Sequence, residues 1–245
     1  MSLAVVLVEP AGPLNVGSVA RLCANFQVPQ LRLVAPRCDH LGPEARQMAV
    51  HGEALLEQSL IYPDLAAAVA DCQRVVATSG RVETESLPLS PPAEALGWLW
   101  RGASCSPAAA LVFGREDRGL SNAELLQAGR VVRLATSDAY ASLNLSHAVA
   151  ICLHELQACR EQPHPTNAIA DENSGVLSSR GDLEAALADA EALLLEVGFL
   201  YPHTAAARMA KLRALLQRAQ VQQQEVALLR GMVRQLRWAA QRETP

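Results

Sequence analysis

The sequence predicts an α/β fold with a mainly parallel sheet, followed by a small all-helical region. From residue 3 to about 160, short apolar runs alternate with helix-like stretches, the pattern of strands joined by crossover helices. Beyond residue 182 the strand-like runs stop, and apolar residues recur at helical spacing alone.

Five strands are expected, at 3–8, 31–34, 74–77, 109–113 and 131–134. Their apolar residues do not alternate with polar ones, which suits strands buried on both faces. Helices fit between and after them at 16–26, 63–71, 91–101, 121–128 and 146–159. Residues 161–181, rich in Pro, Asn, Asp, Ser and Gly, read as a linker. In the tail, Leu183, Leu187, Ala190, Leu194 and Val197 mark a helix that Gly198 can end. Thr204 is the expected cap of a second helix running to about 219. A third, over 222–241, carries Val226, Leu229, Val233 and Leu236 on one face and Arg230, Arg234 and Arg237 on another.

Composition narrows the function. The chain has 245 residues, half of them hydrophobic, enough for a sizeable core. No apolar run approaches the roughly 20 residues that span a bilayer. The opening segment has no basic region before its apolar residues and reads as a first strand, so a cytoplasmic address is expected. The six cysteines are scattered without a C-x-x-C pair, and the histidines have no metal-site spacing. Buried thiols in a reducing compartment are expected, with no metal. The net charge of −4 conceals an asymmetry, because residues 201–245 hold eight basic residues against two acidic ones. A basic tail on an acidic body points to an anionic partner, nucleic acid before membrane.

Three segments carry the chemistry, and each follows an expected strand, where open α/β sheets bind ligands. The first is Asn15-Val16-Gly17-Ser18-Val19-Ala20-Arg21. Here Pro13 and Gly17 suggest a tight loop, Ser18 a helix start that attracts anions, and Arg21 a phosphate contact one turn inside. The second, Phe113 to Ser121, sets the charged run Arg115-Glu116-Asp117-Arg118 between Gly114 and Gly119, with Ser121 as a helix cap. The third, Ala139 to Ser146, mixes small polar and apolar residues before a buried helix. Taken singly, each is also explained as a capped helix start or an exposed turn. Neither G-x-G-x-x-G nor a P-loop is present, which argues against a dehydrogenase or a nucleotide triphosphatase.

Together the three segments, N-x-G-S-x-x-R, F-G-x-E-x-x-G-L and S-L-N-x-S, resemble the motifs of SPOUT-superfamily RNA 2′-O-ribose methyltransferases, SpoU/TrmH branch. The opening Val-Leu-Val-Glu-Pro, Thr78-Ser79-Gly80-Arg81 and the run from Gly198 to Arg213 look most like the TrmJ-type tRNA (cytidine/uridine-2′-O)-methyltransferases.

The resemblance implies a methyltransferase domain over 1–160 with a trefoil knot, a linker at 161–181 and a helical RNA-binding domain over 182–245. It implies S-adenosylmethionine as methyl donor, tRNA as substrate and a homodimer whose sites are completed across the interface. Thr78, Ser79, Gly80, Gly114, Leu134, Ser142, Leu143 and Asn144 should line the donor pocket. Close passage of the adenosine would account for Gly114. The catalytic set is Arg21, supported by Asn15, Glu116 and Ser142. A guanidinium keeps its proton, so Arg21 better suits gripping a phosphate than acting as a base. Glu116 can orient Arg21 or a neighbouring arginine. RNA contacts are expected from Arg81, Arg208, Lys211, Arg230, Arg234 and Arg237. The implied target is the 2′-hydroxyl of cytidine or uridine at position 32 of the anticodon loop. Alternatives are another tRNA position, ribosomal RNA, or a non-catalytic RNA-binding relative. One departure is the stretch Pro10-Ala11-Gly12-Pro13-Leu14, where relatives often carry a more polar sequence.

Overall fold

The structure is a computed structural model that describes residues 3–80, 89–103, 109–137, 139, 142–161 and 176–242. The chain divides into two compact units, Met1–His164 and Pro165–Pro245.

The first unit is a seven-stranded sheet, all of whose pairings are parallel. Its strands are β1 (Leu3–Val8), β2 (Gln30–Val34), β3 (Leu60–Tyr62), β4 (Arg74–Thr78), β5 (Leu89–Ser90), β6 (Ala109–Phe113) and β7 (Arg130–Val132). The spatial order is β3-β2-β1-β6-β4-β7-β5. Every residue of β1 and β6 is buried, which is why these strands read as unbroken apolar runs. The five expected strands are all present. The two that sequence reading missed, β3 and β5, have three and two residues and lack a buried apolar run.

The helices of this unit are α1 (Pro13–Asn25), α2 (Pro43–Ala49), α3 (Glu53–Glu57), α4 (Leu65–Val69), α5 (Pro92–Ala103), α6 (Asn122–Leu125) and α7 (Leu145–Glu161). Helix α1 starts earlier than expected, and this changes the meaning of the first motif. Gly12 is the N-cap and Pro13 opens the helix, a position where the missing N–H costs nothing. Ser18 is therefore not a helix start; its hydroxyl donates to the Leu14 carbonyl at 2.8 Å inside the helix. Gly17 is not a loop residue either. A Cβ there would lie 2.1 Å from the Ala45 carbonyl oxygen, so this glycine lets α1 and α2 pack backbone to backbone. Helices α2 and α3, absent from the sequence reading, cover this face of the unit.

Ser121 does cap α6, in a reciprocal box with Glu124. Burial pushes the thiols of Cys23, Cys72 and Cys152 up to about 12, as expected of inert core cysteines. Cys105 lies outside the described residues. Among the described residues no helix is long and apolar enough to cross a membrane.

The second unit contains α8 (Arg180–Glu196), α9 (Pro202–Ala219) and α10 (Gln223–Arg242) around Leu183, Leu187, Leu200, Met209 and Val226. Gly198, at φ 75°, follows the end of α8, and its N–H reaches the Leu195 carbonyl at 3.2 Å. Thr204 is not the cap of α9; Tyr201 is, with Pro202 as the first helical residue. Residues 176–178 are part of this unit rather than free linker. Ser178 N–H donates to the Val221 carbonyl at 3.1 Å, and Gln223 N–H to that of Val176 at 2.8 Å. The expected inward face of α10 holds for Val226 but fails for Leu236, which is 58% exposed.

Candidate active site

The carboxyl ends of β4, β6 and β7 open into a cleft of about 320 Å³, within the roughly 300–1,000 Å³ of small-molecule sites. Thr78, Ser79 and Gly80 enter it from β4, Phe113 to Leu120 from β6, and Leu134, Ser142 and Leu143 from the segment after β7. Seven of the eight residues expected to form the donor pocket therefore line one cavity. Its wall is apolar at Leu120, Leu134, Leu143, Leu145 and Ala148 and charged at the 115–118 turn. A Cβ on Gly80 would meet nothing within 4 Å among the described residues.

Asn144 does not line the cavity. Its side-chain oxygen accepts from Ser146 N–H at 2.9 Å and Ser146 Oγ at 2.7 Å, which caps α7. Its amide nitrogen donates to Asn15 Oδ1 at 3.0 Å. Asn15 Nδ2 in turn donates to Glu116 Oε1 at 3.2 Å. Glu116 also accepts from Ala11 N–H at 3.1 Å and Gly12 N–H at 3.2 Å. One polar chain, Glu116–Asn15–Asn144, thus ties the three motifs together although the first lies 101 and 129 residues before its partners in the other two.

This geometry settles what Glu116 holds: the loop before α1 and Asn15. The backbone N–H groups of Ala11 and of the N-cap Gly12, just before α1, donate to this carboxylate. Arg21 lies eight residues after Pro13, which is more than two helical turns and about 12 Å along the axis. It is therefore not one turn inside the helix. It is exposed, does not line the cleft, and has no hydrogen-bond or ion-pair partner among the described residues.

Sequence reading missed the support of the second motif. Arg115 is 10% exposed at its side chain and makes two 2.9 Å hydrogen bonds to Glu124 and an ion pair with Glu9. Hydrogen bonding to Arg115 holds the Glu9 carboxyl below its ordinary range. At Glu124 burial opposes the charge, but Arg115 and the Ser121 N–H outweigh it and the carboxyl is again lowered. Both acids in turn raise the Arg115 guanidinium. The signal was available in outline: Glu9 directly follows β1, and Glu124 is the third helical residue of a capping box. Gly114 has a different reason from the expected one. A Cβ there would come within 2.3 Å of the Gly119 backbone carbon and 2.4 Å of the Leu120 nitrogen, so it is the turn itself that excludes a side chain.

Of the expected RNA contacts, Arg81 lies outside the described residues. Arg230 and Arg237 are not free on their helix face; they pair with Asp189 at 3.4 Å and Glu196 at 3.6 Å on α8. Arg208 donates to the Phe199 carbonyl at 3.1 Å. Lys211 and Arg234 are exposed and have no partner among the described residues. No group of three or more His, Cys, Asp or Glu able to hold a metal occurs among the described residues.

A parallel sheet with a cleft at its strand ends, rimmed by polar loops hydrogen-bonded to one another, defines an α/β enzyme domain for a small organic cofactor. The comparisons give the family. Residues 2–154 match the SpoU rRNA Methylase family, and residues 181–245 match the tRNA methyltransferase TrmJ C-terminal domain. The chain belongs to the SpoU methylase family, with the two-part layout of its TrmJ members. It is 34% identical over 238 residues to a tRNA (cytidine/uridine-2′-O-)-methyltransferase TrmJ from Klebsiella pneumoniae, covering 95% of each chain. A tRNA (cytidine/uridine/adenosine-2′-O-)-methyltransferase TrmJ from Pseudomonas aeruginosa is 31% identical over 94% of this chain and 91% of its own. The crystal structure of TrmJ from Z. mobilis superposes with a TM-score of 0.83 at 28% identity, covering 97% of this chain and all of that one.

Proposed function

We propose that the protein is a cytoplasmic homodimeric tRNA methyltransferase that modifies the 2′-hydroxyl of cytidine or uridine at position 32 of the anticodon loop. The observation that carries this reading is the cleft between three motif loops joined through Glu116, Asn15 and Asn144. S-adenosylmethionine fits the cleft: the apolar wall suits adenine, Gly80 leaves open space for a ligand, and the volume is adequate. Thr78, Ser79, Gly80, Leu134, Ser142 and Leu143 would hold it in the knotted loops. When bound, it supplies an electrophilic methyl group.

The protein's own part is positioning, which accounts for much of the rate when the nucleophile is a weak hydroxyl. Glu116 has its oxygens engaged by three N–H donors, two on the backbone and one on Asn15. It acts by fixing Ala11 and Gly12 against Asn15 at the start of α1. Arg21, exposed and without a partner among the described residues, serves the cleft of the second copy. There it grips the phosphate beside the target ribose, while the hydroxyl proton leaves to that phosphate or to water. Arg21→Ala should then keep donor binding and lose transfer.

The test is transfer of labelled methyl from S-adenosylmethionine to tRNA transcripts, with a 2′-deoxy nucleotide at position 32 as control. Label on the ordinary transcript and none on the control is expected. Label on a base, or equal label on the control, would overturn the reading.

A further inference from the structure

Trp238 on α10 differs from the other tryptophans of the chain. Trp98 is 5% exposed and packs beneath Arg74 and Arg130, at 5.0 and 5.2 Å, and Trp100 lies beneath Arg160 at 4.5 Å. Trp238 is 53% exposed, with the Arg242 guanidinium stacked 4.4 Å from its ring. Arg234 stands one turn before it and Arg242 one turn after, so all three share one helix face. Neither arginine has an acidic partner among the described residues, whereas Arg230 and Arg237 on the same helix do.

Trp238, Gln235, Arg234 and Gly231 together line a shallow notch. Gly231 has no packing reason to be glycine, because a Cβ there would meet nothing within 4 Å. A mid-helix glycine weakens the helix, and here it leaves room beside the indole. A half-exposed indole flanked by two cations without acidic partners among the described residues matches the chemistry of single-stranded nucleic acid, in which bases stack and phosphates are neutralised.

We infer that Trp238 is a stacking platform for an unpaired base of the tRNA, with Arg234 and Arg242 contacting the flanking phosphates. The inference rests on the tRNA reading above. Leu228, Met232 and Leu236 expose an apolar row on the same helix, which would suit a second copy of the chain. The two arginines and the notch favour the polyanion.

The experiment measures binding of the full-length protein to a tRNA transcript and to a fully paired RNA duplex across a salt series. Wild type is compared with Trp238→Ala, Trp238→Phe and the pair Arg234→Gln and Arg242→Gln, with oligomeric state followed by light scattering. Trp238→Ala should weaken tRNA binding on the order of tenfold, with duplex binding and salt slope unchanged, and Trp238→Phe should restore most of the loss. The arginine pair should lower the slope by roughly 0.7–0.9 log units per contact. If wild type binds tRNA and Trp238→Ala binds it equally well, the platform is wrong and the tRNA reading stands. If wild type does not bind tRNA, both fall. A Trp238→Ala protein that changes oligomeric state, with tRNA binding lost in proportion, makes the face an interface between copies and overturns the platform.

Discussion

The two units differ in how their most prominent arginines are used. In the α/β unit, Arg32 and Arg115 are nearly buried, and each guanidinium is held by carboxylates and organises chain around it. Arg32 joins β2 to Asp71, after α4, through hydrogen bonds of 2.6 and 2.8 Å; Arg115 joins the end of β1 to the turn beside the cleft. In the helical unit, apart from buried Arg180 and the half-buried Arg213 that Glu184 holds at 2.8 Å, the cations lie on the outside. Some pair loosely with α8, and others, such as Lys211, Arg218 and Arg234, have no partner among the described residues. Charge taken from water must be paired, and then fixes geometry; charge left in water attracts distant anions but orders little. The first arrangement suits a reaction site, the second a grip on a polyanion.

The largest effect should come from breaking the turn itself. Gly114→Val drives a side chain into the Gly119–Leu120 backbone, and S-adenosylmethionine binding by calorimetry should fall below detection. The apparent unfolding temperature should drop by several degrees. Unaltered binding would show that the turn tolerates displacement.

Next is Arg115→Met, which leaves Glu9 and Glu124 without their cation. A loss on the order of 3 kcal/mol is expected in denaturant titration. It carries a pH signature. Both carboxyls are lowered in the folded state, so their contribution is present above their ordinary pKa of about 4.3. It fades as pH falls through the lower folded values. Wild type should lose this stability below about pH 4.5, and the variant, having already lost it, should show a flatter acid limb. Parallel limbs would sink the idea.

Asn15→Ala tests the polar chain with little disturbance to the core, because Asn15 is only half-buried. Turnover should fall about a hundredfold through misplacement of the loop, with a stability change near 1 kcal/mol. If turnover and stability fall in step, Asn15 is merely structural. The smallest effect belongs to the outside cations: Arg230→Gln with Arg237→Gln should cost only about 0.2–1 kcal/mol per pair. Their contribution to the salt slope of tRNA binding should be smaller than that of Arg234 and Arg242.

The sheet was legible wherever burial is two-sided. The run over 109–113 could hardly be anything but a strand, and its two-sided burial explains why. Where strands are short and exposed, as at Leu60–Tyr62, the sequence contains no such signal. The cleft residues were legible through their motifs, yet the reasons attached to several were not. Ser18, Gly17 and Gly114 answer to helix packing and turn closure, set by neighbours such as Ala45 and Leu120 that no local pattern reveals. Arg230 and Arg237 misled in the same way, since their partners sit on a helix some forty residues earlier.

The chain Glu116–Asn15–Asn144 has a consequence for biosynthesis. Asn15 leaves the ribosome early, but its partners follow 101 and 129 residues later. Strand β1 likewise waits for β6, over a hundred residues downstream, to cover its second edge. Such distant pairings form slowly and late. A nascent chain that ends before Leu145 has every strand of the sheet but lacks α7 and the end of the third motif, so its cleft is not closed. The ability to capture a methyl donor should therefore appear abruptly near the end of translation of the α/β unit, and before β6 emerges the exposed edge of β1 is a surface for chaperones to guard.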